Sequence, residues 1–286
     1  MAVGAGAGAA KSTTDDVREL YKNHPLRQET IFGRLRRQGK PLDSLTELDL
    51  ALDEQAEITD QNHVGGLAFT AELAGLAGIT SATRVLDLGS GLGGSARVLA
   101  HLYGCRVHGV ELSKERVQES EKLTRQVRLE ALVTFECGDL LEMDVPGNTF
   151  DILWGQSSWT HFRDKEKFVR RWSEALGSRR RLALEDLYLK TAPKTTDEKR
   201  ELEEFEHDAM STIVEMQAWV EILRRCGFSV FAQDLSYRLV QDVQRQLHHQ
   251  TADRRAQPSA AEREKSGLLL KLASQGLLGY FRMVAS

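Results

Sequence analysis

Val85-Leu86-Asp87-Leu88-Gly89-Ser90-Gly91-Leu92-Gly93-Gly94 runs from an aliphatic segment into a loop of closely spaced glycines, and Ser95-Ala96-Arg97-Val98-Leu99-Ala100-His101-Leu102-Tyr103 continues as a helix former. A buried strand, a tight turn and a helix N-terminus in that order form the first unit of a parallel α/β sheet. Glycine lets such a turn bring its backbone close to a ligand, and the helix start offers free N–H groups. Pyrophosphate is one ligand that fits those groups. Asp87, two positions before the first glycine, sits badly beside a phosphate and well beside an ammonium, so the charge favours a cationic, amino-acid-like ligand.

Downstream, short apolar segments alternate with helical ones. The pattern predicts strands near 84–88, 106–111, 132–136, 150–154, 181–186, 228–233 and 279–284, with helices near 93–103, 114–129, 165–176 and 215–226. The fold class is therefore α/β: a doubly wound, seven-stranded, mostly parallel sheet. Residues 187–214 and 241–270 are too long and polar for simple connections and read as helical, as a cap over the strand ends. Upstream, 1–13 reads as a disordered Ala/Gly tail, and 14–60 as amphipathic helices forming a lid, with Val17, Leu20, Tyr21, Ile31 and Leu35 at helical spacing. Residues 61–286 then form the main domain, with 187–214 as the cap insert.

The 286 residues include 38 basic and 42 acidic side chains, a net charge of -4 that disfavours nucleic acid as a partner. No apolar run approaches the roughly 20 residues of a membrane span, and the N-terminus lacks the charged and apolar regions of a signal peptide. Cys105, Cys137 and Cys226 are far apart and read as reduced core residues of a cytoplasmic protein. No metal site is expected, since the adjacent His248 and His249 point apart on a helix. Oligomeric state is open.

Three further elements follow the strands. Glu111 ends Arg106-Val107-His108-Gly109-Val110-Glu111, 24 residues beyond Asp87, where a carboxylate can accept from a ribose diol. Cys137-Gly138-Asp139-Leu140 follows the third strand, where Asp139 can accept from an exocyclic amine. Trp154-Gly155-Gln156 follows the fourth, which Asp151 opens.

Taken together, this ordered set resembles the class I S-adenosylmethionine-dependent methyltransferases over about residues 60–235. The resemblance implies a Rossmann-like methyltransferase fold with S-adenosyl-L-methionine as cofactor. It implies that Gly89, Gly91, Gly93 and Asp87 lie at the methionine part, Glu111 and Leu112 at the ribose, Asp139 and Leu140 at the adenine, and Gln156 at the methionine end. Asp60-Gln61-Asn62-His63-Val64-Gly65-Gly66-Leu67 and Ser157-Ser158-Trp159-Thr160-His161-Phe162-Arg163-Asp164 are similar to segments of the sarcosine/dimethylglycine N-methyltransferase group and its small-molecule relatives. That likeness implies a small-molecule acceptor, first an amine nitrogen, with oxygen or carbon of a specialised metabolite as the alternative. A Pro-Gly-Gly turn common before the fifth strand in that group is replaced here by Gly177-Ser178-Arg179-Arg180-Arg181.

His161 is the candidate base, or a contact to acceptor or cofactor, because its loop opens toward the methyl group. Glu185 and Asp186 end the fifth strand, and alternation sends one of them, taken as Glu185, toward the pocket to pair with a cationic amine. Trp159 and Tyr188 are candidates for an aromatic substrate wall, with His63 near the same cleft. Trp219 reads as core. Two rivals stand: a nicotinamide-dependent oxidoreductase, and a module that binds the cofactor without catalysis.

Overall fold

The computed structural model describes residues 14–22, 24, 26–52, 59–252 and 260–286. The tail expected over 1–13 and the side chains of His248 and His249 lie outside the described residues. In chain order the elements are α1 (Thr14–Lys22), α2 (Gln28–Arg37), α3 (Glu47–Ala51), α4 (Gly66–Leu76), β1 (Arg84–Leu88), α5 (Gly94–Tyr103), β2 (Arg106–Glu111), α6 (Lys114–Gln126) and β3 (Val133–Cys137). There follow β4 (Phe150–Gln156), α7 (Lys165–Trp172), β5 (Leu176–Leu189), α8 (Thr196–Asp208), α9 (Met216–Arg225), β6 (Val230–Asp234), α10 (Ser236–Ala252), α11 (Ala260–Ser274) and β7 (Leu278–Ala285).

The strands form one seven-stranded sheet in the order β3-β2-β1-β4-β5-β7-β6. β1 to β5 pair in parallel, while β7 lies antiparallel between β5 and β6. From β1 the chain winds outward through β2 and β3, then returns to place β4 on the other side of β1. Strand order reverses there, opening a crevice beyond the carboxyl ends of β1 and β4. Helices cover both faces. Leu73 and Ala74 of α4 with Ala96, Leu99 and Ala100 of α5 pack on one face against Ile152 and Trp154. On the other, Phe168 and Trp172 of α7 and Trp219 and Leu223 of α9 pack against Leu153, Leu184 and Phe281.

Three details differ from the sequence reading. The fifth strand spans 176–189 rather than 181–186, because Phe150 pairs with Leu176 and Ile152 with Arg181, so Gly177–Arg180 bulge against a single β4 residue. The arginine run expected as a turn is thus a bulge, and Arg181 donates to the carbonyl of Gly78 at 3.0 Å. Second, α10 and α11 do more than a polar connection would, packing on β7, and α11 also on α8. Third, Cys137 is exposed at the end of β3 while Cys105 and Cys226 are buried, so only two of the three cysteines are core residues.

The N-terminal helices are tied down by buried charge. Arg34 of α2 donates to the carbonyls of Leu50 and Leu52 at the end of α3, at 3.2 and 3.0 Å. Arg97 of α5 is wholly buried and donates to Glu47 of α3 at 3.1 Å and to Asp60 at 2.7 Å. Two carboxylates on one guanidinium leave an excess negative charge, and burial with the nearby Asp60 pushes Glu47 well above the usual carboxylate range. Removing the cation strands both acids in the interior. Arg97→Met should lower unfolding free energy by about 3–5 kcal/mol, read by chemical denaturation; a loss below 1 kcal/mol would show that the cluster does not anchor α3.

Candidate active site

At the crevice the glycine loop crosses from β1 to α5. Gly89, Gly91 and Gly93 have φ of +88°, +57° and +74°. At Gly93 a Cβ would also fall 2.3 Å from the Phe135 ring, so the turn needs glycine on both counts. The loop forms one wall of a cavity of about 1110 Å³. Asp87, Glu111 and Leu112, Asp139 and Leu140, and Gln156, from the ends of β1 to β4, supply further lining, with His161 from the loop after β4. Thr14, Val17 and Tyr21 of α1 close one side, and Glu203, Glu206, Met210 and Ser211 of the α8 region another.

Asp87 is 3% exposed, and no hydrogen bond to its carboxylate is found among the described residues. Burial, and then the nearby Glu111, push its pKa up to about 8. Glu111 is differently placed. Its two oxygens accept from the backbone N–H of Gly91 and of Ser113, each at 3.0 Å. Ser90, Ser211 and Arg116 line the same cavity, and among the described residues Ser90 Oγ, Ser211 Oγ, and Nε and Nη2 of Arg116 are buried without a hydrogen-bond partner. A cavity that strands acceptors and donors alike is complementary to a polar ligand carrying both signs.

His161 is half-buried between two partners. Its Nδ1 lies 3.0 Å from the carbonyl of Met210, which can only accept, so Nδ1 carries the proton. Nε2 is then an acceptor and takes the hydroxyl proton of Tyr21 at 2.9 Å. Burial lowers His161 below the ordinary imidazole value and raises Tyr21 to about 12, so at neutral pH both are uncharged. His63 also lines the cavity, with Nε2 3.2 Å from both Gln61 Oε1 and Thr70 Oγ1.

Four expected residues stand elsewhere. Glu185 lies behind the cavity wall, accepting from Gln156 Nε2 at 2.7 Å and from Arg282, so it does not face a substrate. Trp159 is fully buried: Gly155 leaves room for its ring, and Nε1 donates to the Leu88 carbonyl at 3.2 Å. Tyr188 packs on Phe281 and shares a 3.4 Å hydrogen bond with Ser236, away from the cavity. Gly93 serves the turn but does not line the cavity. Asp151, at the far end of β4, accepts from the Arg84 N–H at 2.8 Å.

Other groups carry parts of the site that the sequence reading did not assign. Asp186 accepts from the N–H groups of Trp159 and Thr160 at 2.8 and 3.0 Å, fixing the turn that presents His161. Tyr21 was read as an apolar position of an amphipathic helix, and nothing in its spacing marks it as a partner of a residue 140 positions away. Among the described residues no group of three or more His, Cys, Asp or Glu could hold a metal ion, and no helix is long and apolar enough to cross a membrane.

Residues 86–183 match the family described as "Methyltransferase domain". A glycine/sarcosine/dimethylglycine N-methyltransferase of Actinopolyspora halophila is 38% identical over 97 residues, 34% of this chain and 17% of that protein. A phosphoethanolamine N-methyltransferase of Plasmodium falciparum (isolate 3D7) is 27% identical over 184 residues, 63% of this chain and 67% of that one. Among solved structures, phosphoethanolamine N-methyltransferase 2 of Haemonchus contortus, in complex with phosphomonomethylethanolamine and S-adenosylhomocysteine, superposes with a TM-score of 0.74 at 18% identity. That match covers 94% of this chain and 59% of the other. The chain thus spans only a part of the first of these relatives and of the solved structure.

The raised pKa of Asp87 has a consequence of definite sign. An ammonium bound beside it favours the ionised form, so binding releases a proton and tightens as pH rises from 6 toward 8. For folding, an acid held above its unfolded value stabilises at low pH and loses that contribution as pH rises through about 8. Asp87→Asn should therefore raise the melting temperature of the free protein at pH 8. It should also weaken S-adenosylhomocysteine by about 10- to 100-fold, the worth of a hydrogen bond to a charged group. Calorimetry in buffers of different ionisation enthalpy reads both the affinity and the released proton; equal affinity in the variant would remove Asp87 from the ligand site.

Proposed function

We propose that this chain, which carries a class I S-adenosylmethionine-dependent methyltransferase domain, transfers a methyl group to a small-molecule acceptor, first of all an amine nitrogen. The observation that carries the reading is Asp87, a buried carboxyl with no hydrogen-bond partner among the described residues, beside a glycine loop, whose ionised form an ammonium favours and a pyrophosphate opposes. It separates this reading from a nicotinamide oxidoreductase. The printed names of the relatives, N-methyltransferases of glycine, sarcosine, dimethylglycine and phosphoethanolamine, favour nitrogen. The free cysteines suit a cytoplasmic enzyme, placed here in specialised metabolism.

S-Adenosylmethionine, when bound, supplies a methyl group already activated on a sulfonium. Asp87 would face its amino group, Glu111 and Leu112 its ribose, and Asp139 and Leu140 its adenine. Gln156 would wall the methionine end, immobilised because its Oε1 accepts from Ser95 at 2.7 Å and from Thr70 and Trp154, each at 3.1 Å. The rest of the rate comes from holding the acceptor in line, with α1 and the α8 region excluding water.

The Tyr21–His161 pair handles the acceptor's proton. An amine that has gained a methyl group carries an N–H to be lost. The Tyr21 oxygen can take that proton as its own passes to His161 Nε2, while the Met210 carbonyl keeps the ring oriented. His161 is held below the ordinary imidazole value, so it starts neutral and readily returns the proton to solvent. A phenol or acidic carbon would use the same pair.

Isothermal titration with S-adenosylhomocysteine and, separately, with NAD tests the cofactor, followed by methyl-transfer screens over amines, phenols and activated carbons. Micromolar binding of the first alone is expected; binding of NAD alone would overturn the reading. With an acceptor found, Tyr21→Phe and His161→Ala should each lower kcat by about 10²-fold or more while S-adenosylhomocysteine affinity stays within about twofold. The acid limb of the wild-type profile should lie below the usual histidine range. Unchanged kcat in both variants would take the pair out of the chemistry.

A further inference from the structure

Arg116 belongs to the first turn of α6, where its own N–H donates to the Ser113 side chain at 3.3 Å and fixes its backbone. The side chain runs back into the cavity and is 3% exposed. Its guanidinium carbon lies 5.2 Å from the centre of the Tyr21 ring, and Nη2 lies 3.2 Å from where a Cβ on Gly91 would stand. The group therefore bridges the glycine loop and α1. Among the described residues Nε and Nη2 have no acceptor, and Glu111 accepts from the backbone N–H groups of Gly91 and Ser113. A buried guanidinium with two idle nitrogens is costly unless a ligand completes it.

We propose that Arg116 grips the ribose of the bound cofactor and, through its stacking on Tyr21, couples cofactor binding to the seating of α1 over the active site. This rests on the methyltransferase reading above. The chemistry is complementary: a ribose diol donates its hydroxyl protons to Glu111, and its oxygens are then free to accept from Arg116. The cofactor is favoured over the acceptor as the source of those oxygens because Arg116 stands over Gly91 and follows Glu111 by five residues on the turn into α6, whereas His161, Met210 and Ser211 come from the β4 loop and the α8 region. With the ribose in place, a filled guanidinium offers its face to Tyr21, and Tyr21 is the hydroxyl that meets His161. Arg116 is thus a binding residue for the cofactor and a positioning residue for the Tyr21–His161 pair.

The test uses the full chain with S-adenosylhomocysteine as probe, comparing wild type with Arg116→Gln, Arg116→Lys, Glu111→Gln and the Arg116→Gln/Glu111→Gln double variant. Arg116→Gln is expected to weaken the probe at least tenfold, and the double variant to lose less than the product of the single losses, because both side chains hold one diol. Hydrogen exchange should show α1 protected by the probe in wild type and unprotected in Arg116→Gln. Removing an unsatisfied buried cation should also raise the melting temperature of the free protein. Wild-type affinity in Arg116→Gln, wild-type protection of α1 in that variant, or a fall in its ligand-free melting temperature would each overturn the proposal. If Arg116→Gln fails to fold, Arg116→Lys keeps the charge without the fork, and an affinity equal to wild type overturns the proposal in the same way. Failure of wild type itself to bind the probe would instead sink the parent reading.

Discussion

Asp87 lies one residue from the end of β1, at the crevice where strand order reverses, and is almost wholly buried. A carboxylate in that position is held uncharged until a cation reaches it, and much of the architecture serves to bring one there. The parallel strands on either side aim their carboxyl ends at the same opening, so Glu111, Asp139 and Gln156 arrive from separate units without any contact among them in sequence. The glycine loop then carries the backbone past Asp87 with no side chain between the acid and the cavity.

The N-terminal segment depends on a second buried charge set. Arg97 reaches from α5 to Glu47 and Asp60, so the helix that starts at the glycine loop also anchors α3 and the chain entering α4. The backbone carbonyl of Asp60 lies 2.5 Å from where a Cβ on Gly94 would stand, so that anchor packs directly on the loop. The glycine loop and α3 therefore share one support. Tyr21, Arg116 and His161 meet at the cavity, one from α1, one from α6 and one from the β4 loop.

On the opposite side of the cavity wall the polar chain continues away from the ligand. Gln156 holds Glu185, Glu185 holds Arg282, and Arg282 donates to Glu72 at 2.8 Å. Glu185 thereby orients the cavity wall and does not meet the substrate. Asp186, its neighbour, faces the other way and caps the turn that carries His161. Strand alternation correctly separates two adjacent acids, but it does not say which partners wait on each side.

Read along the chain, the residues already determine the sheet, the glycine turn and the acids at the strand ends, because hydrophobic period, glycine spacing and the sign of a charge are local properties. The strand placements differ from the sequence reading mainly at the fifth strand, where a bulge lengthens the pairing through an arginine run whose charge signals a turn. Only the tertiary structure decided which polar groups meet. Tyr21 and His161 are 140 residues apart and the Arg116–Tyr21 stack joins two helices, and neither pairing leaves a periodic trace. Trp159, Tyr188 and Glu185 carry chemistry that suits a pocket, yet each found its partner in the interior. A side chain's type limits what it can do, but its surroundings, assembled from distant segments, determine whether it faces ligand, neighbour or core.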